Sequence, residues 1–408
     1  MIIPGSVLGL NGAVAPSNRI TVGGIGLGPR GRRVLGAFFE HPDFQFLAIA
    51  DPQKERREIV QRLAMRKYGV KQCDTYVDMH DVLGRDDIDA VIIATGDRWH
   101  TTASVYAARA GKDIYCEKPC AMNIQESREL DEAILKHKRV FQAGTQRRSV
   151  QNFALAVELA RSGKLGKLHT VHAGILEPTD YYAPLPEEPL PDPAVLDWDK
   201  WVGPAPMVPY NRSYCRSRWH NYQGFYPAYR IAEWGAHTVD LCQWVAVADN
   251  TTPIEYETDS TTITGTYANG IKLVMRRAGF KGEGDWSPRL GSAPVRFEGD
   301  QGWVEAGDAK AIAVSDPKLI EGRSYKKLGG DNPVDHARNF LDCVKSREQP
   351  ISNSTVSRYG HVTCFAAAAS WKLGRKVTFD PVSETFPNDK EAETVGTFSY
   401  ERRAPYTI

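Results

Sequence analysis

From Arg19 to about Gln146 short apolar runs alternate with amphipathic stretches. RITVGGIGLG reads as a strand entering a glycine-rich turn, RGRRVLGAFFEH as a helix and FQFLAIAD as a second strand. A helix over residues 53–68 follows, then a strand at 89–95 (DAVIIAT), a helix through TTASVYAARAGK, a strand at 113–116 (DIYC), a helix near 124–137 and the run RVFQAGTQ. Strand and helix in strict alternation require right-handed crossovers, and these build a parallel sheet with helices on both faces. Residues 18–146 are therefore predicted to form a doubly wound, Rossmann-type dinucleotide-binding domain.

After Gln146 the pattern changes. One helix (NFALAVELARSGKLG) leads into KLHTVHAGIL, and strand signals then cluster at TTITGTY, IKLVMRR, PVRFE, GWVEAG and KAIAVS. Asn269-Gly270 and the GDQG turn at 299–302 each join two such runs as a hairpin would, so residues 147–408 are predicted to be an α+β domain with a mostly antiparallel sheet. Residues 178–232 hold nine prolines between Pro178 and Pro209 and show no regular period. A loop of that length inside a compact chain is usually functional. Two late helices follow, and the second, over 355–375, is apolar on most faces and is expected to pack back towards the first domain.

Composition narrows the function classes. The 51 basic and 50 acidic side chains leave a net charge of +1, so no bulk field draws the chain to nucleic acid or to a membrane surface. No window approaches the ~18 uninterrupted apolar residues of a membrane span. The seven cysteines are an odd number, Cys116 and Cys120 lack a zinc-ribbon or thioredoxin spacing, and buried free thiols are the expectation. Residues 1–17 (MIIPGSVLGLNGAVAPS) read two ways: as the remnant of an export leader whose basic front is missing, or as an ordinary loose N-terminus. The first implies a periplasmic protein, the second a cytoplasmic one.

The chemistry begins at Gly26-Leu-Gly28-Pro29-Arg30-Gly31, a GxGxxG directly after a strand and opening a helix. Gly26 permits the tight turn, Gly28 lets the backbone approach a pyrophosphate, and Gly31 allows close helix packing. Asp51 ends the second strand twenty residues after Gly31, where a carboxylate receives the ribose hydroxyls and disfavours a 2′-phosphate. NAD is thus preferred over NADP, although Arg30, Lys54 and Arg56 keep NADP open. The fourth strand ends in Thr95-Gly-Asp-Arg-Trp99-His100 at the same edge, and this turn is expected to line the cofactor. His100 reads as a base or as a capping or packing histidine.

Cys116-Glu117-Lys118-Pro119 ends the next strand. In this order, after the GxGxxG, Asp51 and the Thr95–His100 turn, the motif resembles the glucose-fructose oxidoreductase/inositol dehydrogenase/MocA (Gfo/Idh/MocA) family over roughly residues 18–378. The resemblance implies a Rossmann domain followed by a large open sheet, NAD(P)-dependent chemistry on a sugar, cyclitol or related carbinol, and homodimers or homotetramers formed through the sheet. It implies catalysis by Lys118, whose Pro119 bond is often cis in the family, and by His237, which lies in Glu233-Trp-Gly-Ala-His237. Where the family more often has aspartate, this chain has Glu233, which can orient His237, bind substrate or do both. A cation at a strand end can stabilise alkoxide character on a reacting hydroxyl. Glu117 and Gln146 are further expected cofactor contacts, and Arg147 reads as a substrate contact or a structural ion pair. No metal site is expected, and Asp240 is expected to cap or bond within its own helix.

Thirteen aromatics lie between Tyr181 and Trp244. Such rings stack on sugar C–H faces or anchor the loop; most are expected to anchor it, with Trp219, His220 and Tyr222 as candidate substrate contacts beside Arg218 and Asn221. A second aromatic segment around Trp286 is expected to close the site from another strand. Simpler members of the family it resembles have shorter segments here, so the resemblance implies a glycoside or oligosaccharide rather than a bare small polyol. Three functions follow: hydride transfer between a sugar carbinol and NAD, redox-neutral glycoside cleavage through a 3-keto intermediate with NAD held throughout, or non-catalytic sugar binding on the same scaffold.

Overall fold

The computed structural model describes residues 14–69, 73–216, 218–222, 224–277, 286–287, 290–309, 312–324, 333–396 and 401–408. Six strands form the first sheet: β1 (Ile20–Ile25), β2 (Phe44–Ala50), β3 (Asp74–Tyr76), β4 (Ala90–Ile93), β5 (Asp113–Cys116) and β6 (Phe141–Ala143). All are parallel, in the order β3-β2-β1-β4-β5-β6. The winding reverses between β1 and β4, which opens a crevice at their carboxyl ends. Helices α1 (Pro29–Phe38), α2 (Lys54–Tyr68), α3 (Met79–Leu83), α4 (His100–Arg109) and α5 (Ile124–His137) cover the two faces. The sequence pattern did not show β3 and α3. Asp-Thr-Tyr is too short and too polar to signal a strand, and it becomes one by pairing with Ala48–Ala50 at the sheet edge.

The rest of the chain adds α6 (Gln151–Arg161), β7 (Leu168–Gly174), α7 (Trp198–Val202), α8 (Ile231–Val245), β8 (Glu255–Thr258), β9 (Thr262–Thr266), β10 (Lys272–Arg276), β11 (Val295–Gly299), β12 (Gly302–Ala306), β13 (Ile312–Val314), α9 (Val334–Ser346), α10 (Ser354–Leu373), β14 (Val377–Thr378) and α11 (Lys390–Gly396). The second sheet has the order β13-β12-β11-β7-β10-β9-β8-β14 and is antiparallel except where β7 meets β10. Both expected hairpins form. Gly270 takes the left-handed φ of 86° that the β9–β10 turn needs, and Gly299 pairs with Gly302 across the β11–β12 turn.

Alternation along these strands gives the second sheet two unlike faces. Val171, Ala173, Leu273, Met275, Val295, Phe297 and Val304 pack on α6, α8 and α10 in one core. His172, Arg296, Glu298 and Glu305 alternate with them on the other face, with Arg296 ion-paired to Glu298 at 2.6 Å and to Glu305 at 3.1 Å. Trp286 sits on this second face, 5.0 Å from the His172 ring and under the Arg296 guanidinium. The expectation that it closes the site from another strand is corrected, because α8 lies across the sheet from it. The remainder of that segment, residues 278–285 and 288–289, is outside the described residues.

Two late helices tie the sheets together. Ala337, Phe340 and Leu341 of α9 complete the core over the first sheet beside Phe38 and Tyr115. Helix α10 runs between α8 and α5, and its Ala366–Ala369 run is small enough for both to approach.

The tightest seam lies just after β6. The Arg148 side chain, 1% exposed, bonds Asp240 of α8 at 2.7 Å and Asp249 at 2.6 Å. Asp240 therefore bonds across the domain junction, not within its helix as expected. Removing one partner of a buried pair leaves an uncompensated charge, at a cost of about 3–5 kcal/mol. Arg148→Met is expected to lower the urea-unfolding free energy by about that amount; a loss below about 1 kcal/mol, the range of exposed pairs, would show the seam to be dispensable.

Candidate active site and cofactor cleft

The glycine turn has the shape a pyrophosphate requires. Gly26 sits at φ 68°, and a Cβ there would stand 2.3 Å from the Thr95 side chain. A Cβ on Gly31 would lie 2.9 Å from both Ala94 and Leu27, so α1 rests directly on the strand ends. Helix α1 starts at Pro29, with Gly28 at its N-cap and no side chain capping its free N–H groups. Such a terminus accepts a phosphate.

Beside the turn lies a cavity of about 500 Å³, lined by Gly26, Asp51, Thr95 and Trp99 from the first sheet's edge, within the range of about 300–1,000 Å³ usual for small-molecule sites. Asp51 is buried and accepts the Gln53 N–H at 2.9 Å. Burial pushes its carboxyl up to about 6, against the opposing pull of Arg56 and Arg57. Arg56 also lines the cavity, with its guanidinium over Gly28 and one N–H donated to the Cys215 carbonyl at 2.9 Å. The residues present thus fit a dinucleotide, with Asp51 at the ribose position.

Lys118 and α8 meet across 115 residues of sequence. The Lys118 ammonium donates to the Glu233 carbonyl at 2.9 Å and to its carboxylate Oε1 at 3.2 Å. The other carboxylate oxygen accepts the Tyr226 hydroxyl. Burial pushes the Glu233 carboxyl up, but Lys118 and then His220 outweigh it, and it lies below its ordinary value. Glu233 is therefore held by Lys118 and Tyr226, and among the described residues no hydrogen bond joins it to His237. His237, one turn further along α8, is buried with Nδ1 unpartnered. Burial, then Arg147, Lys118 and Arg30, hold its imidazole well below the usual range, so the ring rests neutral.

Several expected contacts turn out to support their neighbours. Glu117 is buried and bonds Arg30 at 2.9 Å and Gln146 at 3.0 Å; Gln146, fully buried, braces Glu117. Arg147 forms a two-point pair with Asp308, at 2.7 and 3.2 Å, the structural one of its two readings. His100 lies under the Lys118–Pro119 turn and not on the cavity wall: its Nδ1–H donates to the Pro119 carbonyl at 2.6 Å. The Lys118–Pro119 peptide is cis.

In the aromatic loop, Trp198 and Trp201 stack at 4.7 Å and gather Tyr214 and Phe225 into a core of the loop's own. Tyr222 packs on this cluster, 4.9 Å from Phe225. Trp219 lines the cavity and stacks on His220 at 3.6 Å, and both rings lie against Tyr226. The side chains of Arg218 and Asn221 are outside those described.

Sequence reasoning missed three residues. Tyr226 was one ring among thirteen. Arg98 and Asp97 stood in the quoted turn without an assigned role. Arg98 is buried and clamps the loop, bonding the Trp201 and Val202 carbonyls and lying 4.0 Å over the Trp201 ring. Asp97 is buried with Oδ2 unpartnered; burial, then the Glu233 charge, pushes its carboxyl well above the usual range.

Comparison with known proteins agrees with this geometry. A family model described as "Oxidoreductase family, NAD-binding Rossmann fold" matches residues 20–145, and its companion, "Oxidoreductase family, C-terminal alpha/beta domain", matches residues 183–408. The chain belongs to the Gfo/Idh/MocA family. It is 27% identical over 158 residues to a myo-inositol 2-dehydrogenase of Thermotoga maritima, covering 38% of this chain and 45% of that one. It is 27% identical over 149 residues to a 2,7-anhydro-N-acetylneuraminate hydratase of Mediterraneibacter gnavus, covering 36% of this chain and 37% of that one. The chain thus spans less than half the length of these curated relatives. A levoglucosan dehydrogenase solved with NADH and levoglucosan shares the fold, with a TM-score of 0.61 and 16% identity over 88% of this chain and 99% of the other.

This family member fastens its lysine turn to α10 through His361. The ring accepts the Cys120 N–H at Nε2, 3.1 Å away, and its Nδ1 bonds the Ser357 carbonyl. That arrangement requires a neutral imidazole, and burial pushes its pKa down to about 4. The unfolded chain takes up this proton near pH 6.5. The contribution to stability is therefore full above about 6.5 and is lost as pH falls towards 4. In urea unfolding followed from pH 6.5 to 4.5, His361→Gln is expected to show a slope of stability against pH that is shallower by up to about 1.4 kcal/mol per unit; equal slopes would mean that the ring titrates normally.

Proposed function

We propose that the chain is an NAD-dependent oxidoreductase acting on a carbinol carbon of a sugar or glycoside. The observation that carries this reading is the junction of Lys118 with the first turn of α8, which brings an ammonium at the carboxyl end of β5 together with the helix that bears a neutral imidazole. NAD, when bound, supplies the hydride acceptor. Lys118 holds the substrate hydroxyl and stabilises alkoxide character as the carbon is oxidised. His237, with its Nδ1 open, is the group that receives the hydroxyl proton. Glu233, fixed between Lys118 and Tyr226, keeps the ammonium aimed. Trp219 and His220 offer a stacked surface suited to a sugar face. The sugar class draws support from the inositol and levoglucosan dehydrogenases among the similar proteins. Asp51 at the ribose position supports NAD over NADP.

One observation favours a second outcome of the same chemistry. Asp97 is a buried acid whose carboxyl is pushed well above its usual range by burial and then by the Glu233 charge, and redox-neutral glycoside cleavage needs a proton donor. In that route oxidation at C3 acidifies the C2 hydrogen. Loss of that proton expels the C1 glycosidic oxygen, which takes a proton, water adds to the resulting double bond, and the C3 ketone is reduced again. The net change is addition of one water, and the cofactor must stay bound throughout.

Lys118→Ala and His237→Ala are each expected to lower turnover about 10²–10⁴-fold while the chain stays folded by circular dichroism; near-normal turnover in both would sink the assignment. With a panel of glycosides and added NAD, a stoichiometric NADH absorbance rise identifies dehydrogenation, and sugar release without that rise identifies the redox-neutral route.

A further inference from the structure

The far wall of the cavity is not built by the first sheet. Asp199 and Lys200 of α7 contribute to it, as do Pro405 and Tyr406 of the segment 401–408. That segment lies across the cleft as a strap with three anchors on different elements. On α7, Arg403 pairs with the Asp199 carboxylate at 2.5 Å and bonds the Gly203 carbonyl at 2.9 Å, while the Tyr406 hydroxyl donates to the other Asp199 oxygen at 2.5 Å. On α4, Tyr106 donates to the Thr407 carbonyl at 2.9 Å. On α5, Arg402 pairs with Glu129 at 2.5 Å and Glu126 at 3.2 Å. The Tyr406 ring meets Trp99 edge to face at 5.0 Å, and Trp99 in turn donates to the Lys200 carbonyl at 3.0 Å. The strap roofs the cavity without filling it, since about 500 Å³ stays open beneath.

Position tells which part of a ligand lies there. A further stretch of the wall is formed by the residues after β2 and β3, Asp51 to Gln53 and Val77 to His80, with the His80 ring 5.0 Å from that of Tyr106. Once the ribose sits at Asp51, the group reaching past it along that wall is the adenine. We propose that the segment 401–408, fastened through Asp199, is part of the dinucleotide site: Tyr406 and Trp99 cover the adenosine end, and release of NAD requires the strap to detach. This rests on the reading that the cleft binds NAD. Its consequence is a cofactor that stays with the protein between turnovers.

The test is the rate of NADH release, measured by loading the full chain with NADH, chasing with excess NAD and following the loss of bound-NADH fluorescence. Wild type is expected to release slowly and to keep NADH through a desalting column. Tyr406→Ala and Arg403→Ala are each expected to release at least about tenfold faster, with Tyr406→Phe in between because it keeps the ring and loses only the Asp199 bond. Tyr406→Phe and Arg403→Ala decide the matter should Tyr406→Ala fail to fold. Saturable NADH binding with release rates equal to wild type in these variants would overturn the strap while leaving the cofactor reading intact. Absence of any NADH binding by wild type would overturn both.

Discussion

Arg148 carries its charge to a place where almost none of its side chain meets water, and Asp240 and Asp249 meet it there with short, charge-assisted bonds. Desolvating these groups is costly, and the geometry must be good to offset the cost. What the pair secures is orientation. Asp240 lies on α8 three residues after His237, and Arg148 lies just beyond β6, so the seam fixes the helix that bears the imidazole against the edge of the sheet that bears Lys118. The Lys118–Glu233 contact, the His361–Cys120 bond and the packing of α10 between α8 and α5 all presuppose that alignment.

With that geometry set, the site's electrostatics follow from neighbours. His237 is buried near Arg147, Lys118 and Arg30, so an added positive charge is doubly disfavoured and the ring rests neutral. Glu233 is half-buried, yet Lys118 holds its carboxyl below the ordinary value, and the Glu233 charge helps burial push the Asp97 carboxyl up. Neighbouring ionisable groups thus have their pKa values moved in different directions by burial and by nearby charges, the kind of arrangement that acid–base chemistry uses.

The proline-rich loop shows how a long irregular segment becomes rigid. Its tryptophans and tyrosines form a private apolar cluster, and Arg98 from the first domain clamps the carbonyls of Trp201 and Val202. Most of the rings are thereby spent on holding the loop, and Trp201, Tyr214 and Trp219 also line the cleft. The same clamp brings Asp199 to the position where it anchors the 401–408 segment.

The sequence by itself determined whatever depends on local pattern: the alternation that makes β1 to β6 parallel, the hairpins at Asn269-Gly270 and Gly299–Gly302, and the glycine turn whose φ and close contacts only glycine tolerates. Strand-end motifs placed Asp51, Thr95 and Lys118 at one sheet edge, because parallel strands all end on the same side. The resemblance carried by those motifs supplied His237. Tertiary structure alone decided what depends on partners far along the chain. It showed that Arg147, Arg148 and Gln146 serve ion pairs and bracing, that His100 lies beneath the lysine turn, that Trp286 faces away from the site, and that Tyr226 and Asp97 belong to it. A side chain's period says which face it takes, but its protonation state and partner depend on what the fold packs against that face, and these partners lie up to several hundred residues away in the chain.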